Sequence, residues 1–368
     1  MQKTNKKFSK IVLTGGGTMG HITPNIAIIP ALFKYFDTID YIGSHNSLEE
    51  QHISTLSAIL AGSGKKLTYH AITSTKLDRV HFLKNLSLPI KLIKANTEAK
   101  KLLQGLKPDV VFSKGGYVTV PVVSMASKLG IPTVIHESDL TMGLANKLSS
   151  KHAKAICTTF EETSKQFKNG VWTGGIVTDK LLTANRLNAV RKFGLTNNLP
   201  TIAITGGSLG ATALNEQISN ILPELVNFCN VIHITGKGKV VNYTHPRYHQ
   251  MEFTDQIGEI FKASDLVISR AGSNTIFELA MLKVPMLLVP LPKSASRGDQ
   301  IDNAKYFQKL GIARVLEQEN IVNLLPEIHE SLKRLPETKK ELQKVGYTNG
   351  KDKLIATIVS VAKGKIIG

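Results

Sequence analysis

The chain has 368 residues, more than one ordinary hydrophobic core covers, so we expect two domains. Hydrophobic residues make up 42% and charged residues 20%, which is typical of a soluble globular protein, and no uncharged apolar run is long enough to span a bilayer. The net charge of +18 predicts contact with something anionic, such as nucleic acid, acidic lipid or a phosphorylated substrate.

The two cysteines, Cys157 and Cys229, lie far apart in apolar stretches and form no CxxC pair. They predict buried thiols in a reducing compartment rather than a disulfide or a metal knuckle. The basic N-terminal segment has only a short apolar stretch before the first glycines, so we expect no signal peptide. Together these features predict a cytosolic protein.

Short apolar, β-branched runs alternate with stretches of helical periodicity along the whole chain. In order, the runs are KIVLTGG, IDYIGS, LTYHAI, DVVFSKGG, PTVIHES, AICTTF and VWTGG, then TIAITGGS, VIHITGKG, YHQMEF, DLVISRAG, VPMLLVPL and ARVLE. Their continuous rather than alternating apolarity predicts strands that are covered on both faces. This is the pattern of a parallel sheet built from βαβ units, so the predicted fold class is α/β.

A glycine-rich motif occurs twice and divides the chain into two halves. TGGGTMG at residues 14–20 is matched by TGGSLGA at residues 205–211, each after a predicted strand and before a predicted helix. We therefore predict two Rossmann-like, doubly wound domains, residues 1–178 and 179–368. The last amphipathic segment, KDKLIATIVSVAK, is predicted as a helix that can pack back on the first domain.

The first glycine turn raises the question of its ligand. Gly15, Gly17 and Gly20 satisfy G-x-G-x-x-G, but the next predicted strand, IDYIGSHN, lacks the terminal acidic residue that a dinucleotide site needs. The glycines still allow a phosphate to approach backbone N–H groups at a helix N-terminus, and a merely tight strand-to-helix turn is the less favoured alternative. His21 follows directly, either as a capping or core histidine or as a base near pH 7.

The second half contains two further groups of candidate residues. Its glycine turn, with Gly206, Gly207, Ser208 and Gly210, is a candidate diphosphate site. Farther on, Arg270 lies at a strand-to-helix turn, and Glu278 in the following helix could accept the hydroxyls of a ribose or merely complement the helix dipole. Asp299 and Gln300 offer hydrogen-bonding groups suited to a sugar.

Several motifs together resemble the MurG family. They are GGGTMGHITPN, FSKGGYVTVPV, HESDLTMGLANK, GGSLGATALN, and SRAGSNTIFELA with ASRGDQIDNA, in the family's order over residues 11–304. The resemblance implies a GT-B fold, with the two Rossmann-like domains facing a cleft. It also implies an inverting transfer of GlcNAc from UDP-GlcNAc to the C4 hydroxyl of MurNAc in lipid I (undecaprenyl-pyrophosphoryl-MurNAc-pentapeptide), which gives lipid II for peptidoglycan synthesis.

The resemblance assigns roles by position. In the catalytic cluster beside the acceptor hydroxyl it places His21, Asp139 and Glu137. Acceptor binding falls to Gly15, Gly16, Gly17, Thr18, Gly20, Asn25, Lys114, Gly115, Gly116 and Tyr117. Donor binding falls to Gly206, Gly207, Ser208, Gly210, Phe253, Thr254, Glu278, Asp299 and Gln300, with Phe253 and Thr254 framing the uracil. Arg270 is added to this set because of its place at the strand-to-helix turn, apart from the resemblance.

The resemblance also implies the surroundings of the reaction. Backbone donors would carry the diphosphate, and the chain has no DxD motif near a strand end, so we expect no cofactor and no obligatory metal. The implied location is the cytoplasmic face of the cell membrane, as a peripheral protein, with cell-wall or cell-division proteins as further candidate partners. Residues 76–107, where Lys and Arg are interleaved with apolar residues such as Phe82 and Leu83, predict contact with an anionic membrane surface.

Two positions depart from the family pattern. The family often has G-x-P-[IV]-R at the domain junction, whereas residues 174–178 here read GGIVT, with Thr178 in place of the arginine. The charge of the diphosphate would then be met by Arg270, Lys237 or helix termini, or UDP would bind more weakly. Asp139 stands where the family often has asparagine, which leaves the choice of general base between His21 and Asp139 open.

Other functions remain as alternatives. Another GT-B glycosyltransferase, such as a glycolipid synthase, or a UDP-GlcNAc epimerase would use a similar donor site. The net charge alone suggests nucleic-acid binding, but 6% aromatic residues and the lack of a basic recognition helix argue against it. A nicotinamide oxidoreductase is the remaining alternative.

Overall fold

The computed structural model describes residues 8–74, 88–196, 198–207 and 210–364. The chain divides into two compact units. The first contains Met1–Ile176 together with Gly350–Gly368, and the second contains Val177–Asn349. Each is a parallel α/β domain, which confirms the predicted fold class.

The first unit is built around a seven-stranded sheet in the order β3-β2-β1-β4-β5-β6-β7, with every neighbouring pair parallel. Its strands are β1 Phe8–Thr14, β2 Phe36–Ser44, β3 Lys66–Ile72, β4 Val110–Ser113, β5 Thr133–Glu137, β6 Ala155–Thr158 and β7 Gly170–Trp172. Its helices are α1 Met19–Leu32, α2 Leu48–Ala61, α3 Leu88–Leu106, α4 Thr119–Lys128, α5 Leu144–Ser150, α6 Glu161–Ser164 and, at the end of the chain, α15 Lys351–Ala362.

Helices cover both faces of this sheet, which explains the continuous apolar runs. Ile11 and Leu13 of β1 belong to one buried cluster, and Val12 between them belongs to another. All three side chains are fully buried. Successive side chains of a strand point to opposite faces, so a strand covered on both sides has to be apolar at every position.

The second unit repeats this plan with a six-stranded parallel sheet in the order β10-β9-β8-β11-β12-β13. Its strands are β8 Thr201–Thr205, β9 Asn230–Ile234, β10 Tyr248–Met251, β11 Leu266–Ser269, β12 Met286–Leu288 and β13 Ala313–Val315. Its helices are α7 Asp179–Leu182, α8 Arg186–Phe193, α9 Thr212–Phe228, α10 Ile257–Ala263, α11 Ser273–Met281, α12 Asp299–Lys309, α13 Leu324–Lys333 and α14 Leu335–Lys344, with a 3₁₀ helix at Gln318–Asn323.

The predicted apolar runs coincide with β1 to β13, but the division of the chain differs from the predicted one. The first unit ends at Ile176 instead of residue 178, and the second ends at Asn349 instead of residue 368. Helix α15 returns to the first unit, as the sequence allowed, and Leu354 and Ile358 are fully buried in the same cluster as Ile11. Burial of this apolar face decides the domain to which the last helix belongs.

Candidate functional site

In each sheet the strand order reverses at one point, and the glycine turns lie there. In the first unit this point falls between β1 and β4, and in the second between β8 and β11. Ligands of open parallel sheets bind outside the carboxyl ends of the strands at such a switch point. The predicted site residues of each unit are therefore brought to one edge of its sheet.

The first glycine turn is tightly enclosed by its neighbours. The N–H of Gly16 donates to the carbonyl of Gly115 with an N···O distance of 3.2 Å, which joins the loops after β1 and β4. Gly116 has φ of +97°, and a Cβ atom there would lie 2.3 Å from the carbonyl oxygen of Gly16. Only glycine fits at Gly116, so this close approach explains the GGY sequence after β4.

His21 lies in the first turn of α1, and the turn orients its ring. Its Nδ1 is 2.9 Å from the carbonyl oxygen of Gly16 and 3.2 Å from the hydroxyl of Thr18. A carbonyl oxygen only accepts hydrogen bonds, so in the neutral ring the proton is assigned to Nδ1 and Nε2 carries the lone pair. The ring is half-buried, while Gly17, Thr18 and Gly20 around it are exposed.

Lys114 follows β4 and is 1% exposed. Its ammonium group donates to the hydroxyl of Ser138. Burial lowers the pKa of Lys114 to about 8, and the nearby carboxylates of Glu137 and Asp139 oppose that shift. A buried ammonium group thus lies at the switch point, in the loop that continues through Gly115 and Gly116 to the half-buried Tyr117.

Glu137 and Asp139 differ in what their side chains can do. The carboxylate of Glu137 is buried and accepts the N–H groups of Asp139 and Gly143, at 3.0 and 2.9 Å, and the amide of Asn146 at 3.0 Å. Burial and the neighbouring Asp139 raise its pKa. Glu137 thus holds the loop that carries the half-buried Asp139, and its catalytic role stays a prediction.

Asn25 also supports the site from within. It is fully buried in α1 and donates to the hydroxyl of Tyr41 at 3.0 Å, and that hydroxyl in turn donates to the carbonyl of Gly15 at 2.6 Å. Burial raises the pKa of Tyr41, which keeps its hydroxyl a donor. Asn25 therefore braces the glycine turn from within, and its role in acceptor binding stays a prediction.

The second unit repeats this brace. Asn215 of α9 donates to the carbonyl of Thr235 at 2.8 Å, and its oxygen is 3.1 Å from Nε2 of His233. A Cβ atom on Gly210 would lie 2.2 Å from that same carbonyl oxygen. Burial lowers the pKa of His233 to about 4, so the ring is neutral and forms part of the core.

The second glycine turn lies at the carboxyl end of β8, directly before α9. Gly207 and Gly210 have φ of +83° and +67°, and the N–H of Gly210 donates to the carbonyl of Gly207. Gly206 is half-buried and Gly207 exposed, so both are accessible from outside the sheet edge. Ser208, predicted as part of the diphosphate site, lies outside the described residues.

Arg270 is held by backbone carbonyls of its own unit, and its role in binding the diphosphate stays a prediction. Its side chain is 8% exposed, and its guanidinium donates to the carbonyl of Val289 at 3.0 Å and to that of Pro290 at 3.4 Å. Burial also lowers its pKa. Arg270 therefore ties the end of β11 to the loop after β12.

Glu278 of α11 is half-buried, and burial raises the pKa of its carboxyl to about 7. Among the described residues its carboxyl oxygens have no hydrogen-bond or ion-pair partner. Burial favours the protonated form of such a group, whereas a donor from a ligand would favour the ionised form. Glu278 is thus a carboxyl available to a ligand.

The remaining donor residues follow β10 and β12. Asp299 begins α12 and pairs with Arg297, with 3.2 Å between Oδ1 and Nε. The side-chain oxygen of Gln300 accepts the N–H of Leu291 at 3.1 Å, which orients its amide. Phe253 is 72% exposed after β10, and the Thr254 hydroxyl accepts the N–H of the residue two positions later, Gln256.

Two of the surrounding residues were not predicted from the sequence. Glu49 of α2 is 1% exposed and accepts the N–H of Gly17, and Lys239 donates to the carbonyl of Gly210 at 3.3 Å. An acidic residue in the first turn of a helix is typical of dipole complementation, so nothing in the sequence separated Glu49 from its neighbour Glu50.

Within the described ranges, no group of three His, Cys, Asp or Glu side chains could hold a metal ion.

Comparison with known proteins identifies the family. The glycosyltransferase family 28 N-terminal domain matches residues 11–158, and the family 28 C-terminal domain matches residues 201–358. The UDP-N-acetylglucosamine--N-acetylmuramyl-(pentapeptide) pyrophosphoryl-undecaprenol N-acetylglucosamine transferase of Clostridium kluyveri is 43% identical over 365 residues, 98% of each chain. The chain belongs to the MurG family of N-acetylglucosamine transferases.

Other relatives agree with this family. The enzyme of the same name from Oceanobacillus iheyensis is 42% identical over 92% of this chain and 94% of its own. The crystal structure of Acinetobacter baumannii MurG superposes with a TM-score of 0.70 at 25% identity, covering 95% of this chain and 99% of that one. The predicted family, fold class and enzyme class are therefore confirmed.

The fold alone does not separate the alternatives. UDP-GlcNAc 2-epimerase from Neisseria meningitidis superposes with a TM-score of 0.66 at 15% identity, over 95% of this chain and 100% of that one. Sequence identity over nearly the whole chain distinguishes a transferase of the MurG family from an epimerase of similar fold.

Proposed function

We propose that the chain transfers GlcNAc from UDP-GlcNAc to the C4 hydroxyl of MurNAc in lipid I, with inversion at the anomeric carbon, and so makes lipid II for peptidoglycan synthesis. The observation that carries the proposal is the ring orientation of His21. Its Nδ1 faces the carbonyl of Gly16 at 2.9 Å, which places the lone pair on Nε2 in a turn of the phosphate-binding type.

In the proposed reaction Nε2 of His21 takes the proton of the attacking hydroxyl. A bond forms between that oxygen and the anomeric carbon, while the bond from this carbon to the UDP oxygen breaks and UDP leaves with the electron pair. The buried ammonium group of Lys114 and the exposed start of α1 would receive the acceptor's diphosphate. Asp139 is the alternative base: Glu137 accepts its backbone N–H, and its carboxylate lies near Lys114 in the same cluster.

On the donor side, we assign the UDP diphosphate to Gly206, Gly207 and Gly210 and the start of α9. Positive φ at Gly207 and Gly210 requires glycine, so no side chain stands between the ligand and the start of α9. Glu278 would accept the ribose hydroxyls, and Phe253 and Thr254 would frame the uracil. Asp299 and Gln300, oriented by Arg297 and Leu291, would bind the GlcNAc hydroxyls.

Transfer of radiolabelled GlcNAc from UDP-GlcNAc to a short-chain lipid I analogue, in the presence of EDTA, tests the proposal. We expect transfer at the same rate with and without EDTA, because backbone N–H groups would carry the leaving diphosphate in place of a metal. Transfer that stops in EDTA and returns with Mg²⁺ would overturn the metal-independent route. UDP-GlcNAc binding without transfer would point to another acceptor.

We further propose that the protein acts as a peripheral protein at the cytoplasmic face of the cell membrane, with the start of α3 against anionic lipid. Ile90 and Ile93 are 74% and 67% exposed there, beside the exposed Lys91 and Lys94. Exposed apolar side chains among lysines suit an anionic interface. Phe82 and Leu83, predicted for the same surface, lie outside the described residues, and none of the described helices is both long and apolar enough to cross a membrane.

Replacing both Ile90 and Ile93 with serine should lower binding to vesicles of anionic phospholipid about 100-fold or more, because each buried isoleucine contributes about 1.5–3 kcal/mol. Sedimentation with vesicles measures the effect. The matched control is Ile59→Ser, since Ile59 is 70% exposed on α2 of the same unit. Equal loss in the control, or unchanged binding in the double variant, would move the membrane contact elsewhere.

A further inference from the structure

Glu49 is a buried carboxylate beneath the first glycine turn. It lies in the first turn of α2 and is 1% exposed. One oxygen accepts the N–H of Gly17 and the other accepts the N–H of Ser44, each at 3.2 Å. The two bonds tie the glycine turn after β1 to the end of β2.

The same carboxylate explains why residue 16 is glycine. A Cβ atom on Gly16 would lie 2.3 Å from one oxygen of Glu49 and 3.0 Å from the other. The three atoms nearest to that position all belong to Glu49. Gly16 does not have positive φ, so the conflict at residue 16 is with the carboxylate and not with the backbone conformation. A side chain there would displace the carboxylate from its two N–H partners.

The turn is therefore held from two sides. On one side, Tyr41 donates to the carbonyl of Gly15 at 2.6 Å. On the other side, Glu49 accepts the N–H of Gly17. Because the N–H of Gly17 is used inside the protein, an anion at this turn has to bind the backbone that follows, at Thr18 and Met19. The carboxylate itself would repel such an anion and is buried behind the turn.

We propose that Glu49 is a positioning residue for the acceptor: it holds the Gly16–Gly17 turn in the conformation that presents the start of α1 and His21 to the acceptor's diphosphate and hydroxyl. The proposal rests on the proposed function of the first unit. Glu49 acts through the N–H of Gly17, and His21 is coupled to the same turn through the carbonyl of Gly16.

Glu49→Gln tests this coupling. A glutamine has one accepting oxygen and one donating NH₂, so in either orientation one of the two backbone N–H groups faces a donor. We expect the KM for a lipid I analogue to rise about tenfold, which corresponds to the loss of one charge-assisted hydrogen bond. The KM for UDP-GlcNAc should stay within about twofold. The matched control is Glu50→Gln, because Glu50 accepts the N–H of Asn46 at 2.6 Å in the same helix without touching the glycine turn.

A double-mutant cycle provides a second test. Removal of the carboxylate in Glu49→Ala leaves room for a methyl group on residue 16, so Gly16→Ala should cost less acceptor kcat/KM in that background than in the wild type. Additive losses in this cycle would overturn the proposal. For the single variants, it would be overturned by equal acceptor KM values for Glu49→Gln and Glu50→Gln. It would also be overturned if the donor KM of Glu49→Gln rose as much as its acceptor KM. A wild-type chain that binds UDP-GlcNAc without transferring to lipid I would overturn the proposed function and this role with it.

Discussion

His21→Ala should lower kcat for GlcNAc transfer about 10²- to 10⁴-fold, the usual contribution of a general base, while the affinity for UDP-GlcNAc changes little. The loss follows from the geometry of the ring. The carbonyl of Gly16 orients Nδ1 at 2.9 Å, so only Nε2 of the neutral ring can take a proton, and alanine supplies no substitute. Steady-state kinetics with a lipid I analogue, together with calorimetric titration of UDP-GlcNAc, measure the two effects separately.

The matched control is His152→Ala, because His152 is exposed in the same unit and its side chain is not part of the site. Its kcat should equal that of the wild type. If His21→Ala keeps near-wild-type turnover and Asp139→Asn loses it, the base is Asp139 and His21 merely caps the turn.

Glu278→Gln should weaken UDP-GlcNAc binding about 10- to 100-fold at pH 8, as expected when a hydrogen bond to a charged group is lost. Burial raises the pKa of the Glu278 carboxyl to about 7, so the ionised form that accepts ribose hydroxyls dominates only above that pH. In the wild type, affinity should therefore fall about tenfold from pH 8 to pH 6, and in Glu278→Gln it should not change. Calorimetric titration at several pH values measures both trends.

The stability of the second unit should change in the opposite direction. In the unfolded chain the carboxyl of Glu278 ionises near pH 4.5, whereas in the folded chain it stays protonated to about pH 7. Stability therefore decreases as pH rises from 4.5 to 7, and a neutral glutamine avoids that loss. Glu278→Gln should unfold at a higher Tm than the wild type at pH 8, which separates lost binding from misfolding.

Glu224→Gln is the control for both measurements, since Glu224 is exposed on α9 of the same unit. Its affinity and Tm should match the wild type. A wild-type affinity that does not change between pH 6 and pH 8 would show that the carboxyl of Glu278 does not bind the donor.

The site illustrates where sequence reasoning succeeds and where it ends. The glycine turns were predictable because a short strand followed by glycines and a helix is a local pattern with a local cause. The contacts of Arg270 and Glu137 were not predictable. The sequence shows a charged residue near a turn, but it does not show whether its partner is a ligand or a backbone group. In the fold, Arg270 donates to the carbonyl of Val289 and Glu137 accepts three N–H groups.

By itself, the sequence determined the strands that the described residues form in the two parallel sheets, the position of both glycine turns and the family. Each depends on neighbouring residues: apolar runs covered on both faces, and glycines that relieve backbone contacts. Tertiary structure alone decided that Glu49 is buried while Glu50 is not, that Asn25 braces the turn, and that α15 joins the first unit. These outcomes depend on contacts between segments that are far apart in the chain. The periodicity of apolar residues shows that one face of a helix is buried, but it does not show which segment covers that face.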